Sequence, residues 1–334
     1  MPLSLDARLD ALAELGHRLA EGTQDNSMDE AVRNACAANP WFTEEHIRLA
    51  LRTWGESLSK EGLQALAGSC PHLLKDEPQP RLVAIVMAGN LPLVGMHDWL
   101  CVLLAGHKPL VKLSSSDSVL LPYINNLLPS PLRERTCFAE GRIRDFEAII
   151  ATGSNNTNRY FEYYFSRYPH IIRHSRHSAA ILDGSEEQSH LERLCDDIFL
   201  HFGLGCRSVS RLLIPKGYDF EPLLEASGRY AYFADMHIWH SSLDYHKTLL
   251  MLNGDSFVDG GFWLLRPSPA LTAPVGMVNY GDYDSPKEAD LWVRQHADEL
   301  QLALRKEAFG TAQHPALTDF ADGVNTLHFL ATLP

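Results

Sequence analysis

Residues 81–88 read R-L-V-A-I-V-M-A, an apolar run of strand length with no polar face. A strand that is apolar on both sides must be covered on both sides, which points to the middle of a parallel sheet flanked by helices. The segments that follow keep that rhythm. L93-V-G-M-H-D-W-L-C-V-L-L-A105 is a mostly apolar helix closed by Gly106, 109–113 is the next strand, and S114-S-S-D-S118 supplies cap-forming residues ahead of a helix at 119–128. D145-F-E-A-I-I-A151 is another strand, 159–167 has helical character, and S178-A-A-I-L182 reads as a further short strand. Strands alternating with helices predict an α/β fold built on doubly wound parallel sheets.

The ends of the chain follow different patterns. Leu5, Leu9, Leu12, Leu15 and Leu19 recur at helical spacing, and a second helix starts at Thr43 and carries Ile47, Leu49, Ala50 and Trp54. Pro71 and K75-D-E-P-Q-P80 break this helical opening. A second α/β region starts after D183-G-S-E-E187, with a helix at 190–201 and a strand from Arg211 to Pro215. Beyond it, 247–253 and 274–279 read as strands, 286–303 as a helix, and the tail after Phe309 as loop folding back on the body. A chain of 334 residues favours two domains. The expected division is 1–182 for the N-terminal helices and a nucleotide-binding domain, 183–308 for a cysteine-bearing catalytic domain, and 309–334 for the tail.

Bulk properties narrow the partners. The formal charge of −13, with no long Lys/Arg stretch, argues against nucleic acid, although a few local donors would still suffice for a coenzyme's phosphates. Six cysteines (36, 70, 101, 137, 195 and 206) lie scattered without a C-x-x-C pair, the pattern of reduced thiols in a cytosolic protein. The opening M-P-L-S-L-D-A-R-L-D lacks the basic and apolar regions of a signal peptide, and the longest apolar stretch, near 99–105, is too short to span a bilayer. The expectation is a soluble, cytoplasmic protein.

Cys206 is the cysteine whose neighbours best suit chemistry. It sits in F202-G-L-G-C-R-S-V-S210, where glycines leave room for an incoming carbonyl and Arg207 favours the thiolate, the nucleophilic form. A buried small hydrophobe near a turn is the alternative, and these residues alone do not separate the two. Cys195, beside Asp196 and Asp197, has anionic neighbours that disfavour a thiolate. Asn90, in A88-G-N-L-P-L-V-G95, stands at a strand end where its amide either donates to a developing oxyanion or satisfies a turn. Lys112 and Ser114, after the second strand, suit ribose hydroxyls or phosphate, or else a solvated helix cap. Thr152, Gly153 and Ser154 form a small-residue loop opening a helix, suited to a pyrophosphate, though not a G-x-G-x-x-G. R173-H-S-R-H177 is either a phosphate contact or a solvated loop. His237, His240 and His246 do not match a zinc spacing, so no metal is expected.

Taken in order, these pieces resemble the aldehyde dehydrogenase superfamily, and within it the LuxC-type acyl-CoA reductases, from about residue 81 to about 330. The matching motifs are G89-N-L-P-L93, G106-H-K-P-L-V-K-L-S114, T152-G-S154 and G205-C-R-S-V-S-R-L-L-I-P215. The fuller runs at 94–108, 150–165 and 202–210 are similar to LuxC-type sequences in particular. Two departures stand out. The glutamate with which hydrolytic members activate water has no counterpart in H174-S-R-H-S-A-A-I-L182, and the later E-x-F-G-P segment, whose glutamate holds the nicotinamide ribose, has no clear match.

The resemblance implies an aldehyde dehydrogenase-like fold and NADPH-dependent reduction of an acyl thioester (acyl-CoA) to an aldehyde, with NADH as the other coenzyme. It makes Cys206 the nucleophile, the Cys206 N–H and Asn90 the oxyanion donors, and Lys112, Ser114, Thr152, Gly153 and Ser154 the seat of the adenosine and pyrophosphate. The partners it implies are acyl-CoA or another acyl thioester, an acyl-transfer partner protein, and a second copy of the chain. Two alternatives stand beside it: a transferase that passes the acyl group to a partner without reduction, and a non-catalytic relative of the fold.

Overall fold

The apolar run at 81–88 becomes β1 (Leu82–Val86), and its alternate side chains serve opposite faces. Val83 and Ile85 pack with Trp99, Leu100 and Leu103 of α5 (Met96–Leu104), while Ala84 joins Ile149, Ala151 and Phe161 on the other side. That is the two-sided covering the composition requires. The computed structural model describes residues 3–22, 26–71, 79–153 and 155–333. It divides into two compact units, Met1–Ser175 with Pro315–Pro334, and Arg176–His314.

In the first unit, among the described residues, five parallel strands lie in the order β3-β2-β1-β4-β5. These are β2 (Lys108–Lys112), β3 (Cys137–Phe138), β4 (Ala148–Thr152) and β5 (His170–Arg173) around β1. The chain moves outward from β1 to β2 and β3, then returns across β1 to β4, so the strand order reverses between β1 and β4. Ligands of open α/β sheets bind outside the carboxyl ends at such a reversal.

The N-terminal leucines form α1 (Leu5–Glu21), with Leu12, Leu15 and Leu19 in the same core as Ile47, Leu51, Leu63 and Leu66. Hydroxyls of Ser4, Thr43 and Ser59 cap their helices, as short oxygen-bearing side chains do at helix starts. The tail is not all loop. Asn325 caps a six-residue helix (Thr326–Ala331) whose Leu327 and Leu330 enter this core.

The second unit holds, among the described residues, six strands ordered β11-β6-β7-β10-β9-β8. They are β6 (His177–Ile181), β7 (Val209–Pro215), β8 (Val258–Asp259), β9 (Leu264–Pro267), β10 (Met277–Tyr283) and β11 (Leu300–Leu304), all parallel except β8. The short strand at 178–182 thus pairs with β7 and β11 in this sheet. Residues 247–253 are not a strand but the end of a helix (His237–Asn253), whose buried Trp239, Leu243 and Leu250 set a helical period. Residues 286–303 split into a helix (Pro286–Gln295) and β11, because the apolar positions after Gln295 alternate instead of recurring every third or fourth residue. Among the described residues no helix is long and apolar enough to cross a membrane. The architecture is α/β with parallel sheets and an N-terminal helical segment.

Candidate active site

Strand register gathers one candidate set at the carboxyl edge of the first sheet. Val86 pairs with Lys112 on one side and with Ala151 on the other, which puts the exits of β1, β2 and β4 in one row. Gly153 follows β4 directly, Ser114 lies in the loop after β2 and Asn90 in the loop after β1, and Thr152 is the last residue of β4. Asn90 is exposed, and Lys112, Ser114, Thr152 and Gly153 are half-buried. Ser154 lies outside the described residues.

The loops at this edge are locked together. A Cβ on Gly89 would fall 2.6 Å from both Cβ and Oγ of Ser114 and 3.1 Å from the Asp117 nitrogen, so glycine is needed for the close approach. Asp117 Oδ2 accepts the Leu93 N–H at 2.9 Å, clamping the β1 loop to the β2 loop. Burial pushes the Asp117 carboxyl above its ordinary value, and the backbone N–H groups it accepts pull the other way. Leu93 itself is held at φ 61, backbone that costs a non-glycine residue free energy and persists where surroundings over-determine it. Ser114 Oγ accepts the Ser116 N–H at 3.2 Å, so this hydroxyl serves the turn. Gly153 makes room for a helix, since a Cβ there would lie 2.9 Å from Phe161 and 3.1 Å from Thr157.

Arg173 is engaged inside the fold instead of meeting a phosphate. It is buried, and its guanidinium grips Asp98 through Nη2–Oδ1 at 2.5 Å and Nε–Oδ2 at 3.1 Å.

Cys206 belongs to the second unit, on a turn just ahead of β7. This is the amino edge of a strand, opposite to where the carboxyl-end rule would direct attention. Helix α9 (Gln188–Phe199) leads into it through His201, Phe202 and Gly203 at φ 54, 59 and 67. Left-handed backbone at a histidine and a phenylalanine in succession costs about 1–3 kcal/mol each, so other contacts must hold the loop. Ser178 Oγ of β6 donates to the Cys206 carbonyl at 2.9 Å. Ser208 donates its N–H to the Gly205 carbonyl at 3.0 Å and accepts the Gly205 N–H on Oγ at 3.3 Å. Gln313 Nε2 reaches the same Ser208 Oγ at 3.2 Å. Cys206 itself is exposed, and its carbonyl is pinned from β6.

The remaining thiols are placed differently. Cys70, Cys101 and Cys195 are buried, and burial pushes the Cys101 and Cys195 thiols well up. Cys36 is half-buried with its thiol raised by burial, and Cys137 is exposed at the start of β3. The aromatic residues around the cysteine loop are core: Phe199, Phe202, Phe233, Trp239 and Trp263 are almost fully buried and pack ring against ring. His240 pairs with Asp244 on its own helix, and among the described residues no three His, Cys, Asp or Glu side chains converge as metal ligands would.

Ser178 and Gln313 lie 28 residues from Cys206 and 105 residues from Ser208, respectively, so no local pattern announces them. Ser208, three residues after Gly205, has the spacing of a hydroxyl-closed turn and was readable in principle.

No protein-family model and no curated protein matches this sequence. Solved structures do match. The structure described as aldehyde dehydrogenase PutA of Anabaena variabilis aligns at TM-score 0.68 and 15% identity, over 99% of this chain and 87% of that one. The fold is aldehyde dehydrogenase-like. Aldehyde dehydrogenase from Bacillus cereus aligns at TM-score 0.64 and 14% identity over 91% of this chain and 76% of that one. The Mycobacterium tuberculosis aldehyde dehydrogenase complexed with NAD+ aligns at 0.61 and 14%, over 92% and 78%.

Proposed function

We propose that this chain reduces an acyl thioester, such as an acyl-CoA, to an aldehyde through an acyl-enzyme on Cys206, with NADPH as reductant. One observation supports this reading above the others. The strand that meets Cys206 does so through the hydroxyl of Ser178, and H177-S-A-A-I181 carries no carboxylate to activate water against an acyl-cysteine. An exposed thiol on a turn pinned at Gly205, Cys206 and Ser208 suits a nucleophile that must be presented repeatedly in one orientation.

In this reading the Cys206 thiolate attacks the thioester carbonyl, its S–C bond forms, and coenzyme A leaves as the thiolate. The Cys206 N–H and the Asn90 side chain donate to the tetrahedral oxyanion. The acyl carbon on Cys206 accepts a hydride, two electrons and one proton, which a bound NADPH would supply in becoming NADP+, and the carbonyl oxygen takes the negative charge. The resulting hemithioacetal on Cys206 collapses by breaking its S–C bond, which releases the aldehyde and restores the thiolate.

Features of the carboxyl edge of the first sheet support the placing of a dinucleotide there. This edge carries the half-buried cation of Lys112 in line with the strand exits, and Gly89 keeps the β1 loop close to Ser114. Among the described residues Lys112 forms no ion pair. Lys112, Ser114, Thr152, Gly153 and Ser154 would hold the adenosine and diphosphate half, and NADH is the competing coenzyme.

A single-turnover experiment tests the reading: acyl-CoA is added, intact mass and peptide mapping score the adduct, and NADPH or NADH follows. The expected result is a thioester on Cys206, absent in Cys206→Ser, that disappears as aldehyde forms. An adduct untouched by either coenzyme would establish acyl transfer instead. No adduct at any chain length would make this a non-catalytic relative.

A further inference from the structure

The strained entry at His201–Gly203 and the exposed turn after it call for a brace, and the second unit supplies one from an unexpected place. We infer that Gln313 is a positioning residue for Cys206, acting through the hydroxyl of Ser208. Its consequence for turnover rests on the acyl-enzyme reading above; its consequence for the geometry of the turn does not.

The brace can be followed atom by atom. Asp197, fully buried on α9, accepts the Gly310 N–H on Oδ2 at 2.7 Å and the Ala312 N–H on Oδ1 at 3.0 Å. Phe309 and Ala312 are themselves buried, and Gly310 takes φ 90, so the segment 309–312 has one path across α9. That path delivers Gln313 to Ser208, with Nε2 at 3.2 Å from Oγ. The same oxygen accepts the Gly205 N–H, and the Ser208 N–H returns to the Gly205 carbonyl. Two donors on one hydroxyl oxygen fix its rotamer, and the doubly bonded pair Gly205–Ser208 encloses Cys206 and Arg207. The helix that leads into the turn therefore also anchors the segment that braces it.

Without the amide of Gln313 the Ser208 hydroxyl is released to rotate, and the Gly205 N–H loses a fixed acceptor. The strained loop then relaxes, and the Cys206 thiol and N–H are no longer held in one place. A displacement of about 1 Å at a reacting group costs on the order of 10²-fold in rate. A loosened turn that still visits the productive geometry should lose less, about tenfold.

The test uses Gln313→Met, which keeps the side chain's volume and removes the donor, together with Ser208→Ala and the double variant. Amide hydrogen exchange at residues 204–208 reads the turn, and steady-state kinetics read its consequence. The expected result is faster exchange in both single variants, kcat down about tenfold, and KM for thioester and coenzyme within twofold. Because both act on one hydrogen-bond chain, the double variant should be no worse than Ser208→Ala alone. Gln313→Leu replaces Gln313→Met if the latter does not fold. Wild-type exchange in the glutamine variant, unchanged kcat despite faster exchange, or losses that multiply in the double variant would each overturn the inference. If the wild-type chain turns over no thioester, the acyl-enzyme reading fails separately, and the rate of Cys206 alkylation by iodoacetamide, mapped by peptide mass, takes the place of kcat and should fall by a similar factor.

Discussion

Arg173 and Asp98 form a buried, two-pronged ion pair between the end of β5 and the first turn of α5. The guanidinium also donates to the Ala321 carbonyl at 2.9 Å and to Thr326 Oγ1 at 2.7 Å. One side chain thus joins the sheet, α5 and the returning C-terminal segment of the first unit. Asp98 at a helix start gains from the N-terminal dipole as well.

Removing one partner of such a pair leaves a buried charge without compensation, which typically costs about 3–5 kcal/mol. Arg173→Met should lower the unfolding free energy, measured by urea titration, by that order and leave coenzyme KM within twofold. A large rise in KM with unchanged stability would restore the phosphate role for this arginine. Arg173→Met combined with Asp98→Leu should recover part of the loss, since the apolar pair leaves no orphaned charge.

Asn90 tests the oxyanion assignment. Loss of one oxyanion donor typically lowers turnover about 10²–10³-fold, so Asn90→Ala should show that loss in kcat with coenzyme affinity nearly unchanged. The check is kcat and NADPH titration on the same preparation. The reverse pattern, weak coenzyme binding with intact kcat, would make Asn90 a turn residue.

Gly89 tests the coenzyme edge. A methyl group there meets the Cβ and Oγ of Ser114 at 2.6 Å, and Ser114 cannot swing away freely because its turn is bridged to Asp117, which is clamped to Leu93. Overpacking of this kind costs about 1–3 kcal/mol. Gly89→Ala should lower the melting temperature and weaken NADPH binding about tenfold, an energy of roughly 1.4 kcal/mol. Gly141→Ala is the control, since a Cβ there meets no atom within 4 Å; equal losses in the two variants would remove the steric explanation.

The parts of this molecule legible in the sequence are those fixed by local pattern. The run at 81–88 announced a strand covered on both faces, and Thr43 announced a helix start, because burial and capping act within a few residues. The stretch 247–253 misled because K-T-L-L-M-L-N is apolar at both periods, and the buried Trp239 and Leu243 that settle it as helix lie upstream. Arg173 could not be assigned from R-H-S-R-H, since its partner is 75 residues away. The same holds for the cysteine turn. Its glycines were visible, but Ser178 and Gln313 reach it through tertiary contacts that no spacing encodes.

Asp197 and His201, at the end of α9 and in the loop beyond, make opposing demands on pH. Burial holds the Asp197 carboxyl up at about 6, while the Gly310 and Ala312 N–H groups pull the other way, and burial with His314 nearby holds the His201 imidazole down at about 4. Between about pH 4 and 6 the folded protein keeps a proton on Asp197 that the unfolded chain has lost, so this group's contribution to stability falls as pH rises through that window. For His201 the unfolded chain binds the extra proton, so its contribution is present above about pH 6.5 and is lost as pH falls toward 4. Each amounts to roughly 3 kcal/mol at 1.36 kcal/mol per pH unit, and in the wild type they largely offset. Asp197→Asn removes one side of the balance. The stability of wild type minus that of the variant should fall by roughly 2.5 kcal/mol between pH 4 and 7, whatever constant offset the lost carboxylate adds. Denaturant unfolding of both proteins at half-unit pH steps measures it, and a difference that stays flat across the window would mean that Asp197 titrates as an ordinary carboxylate.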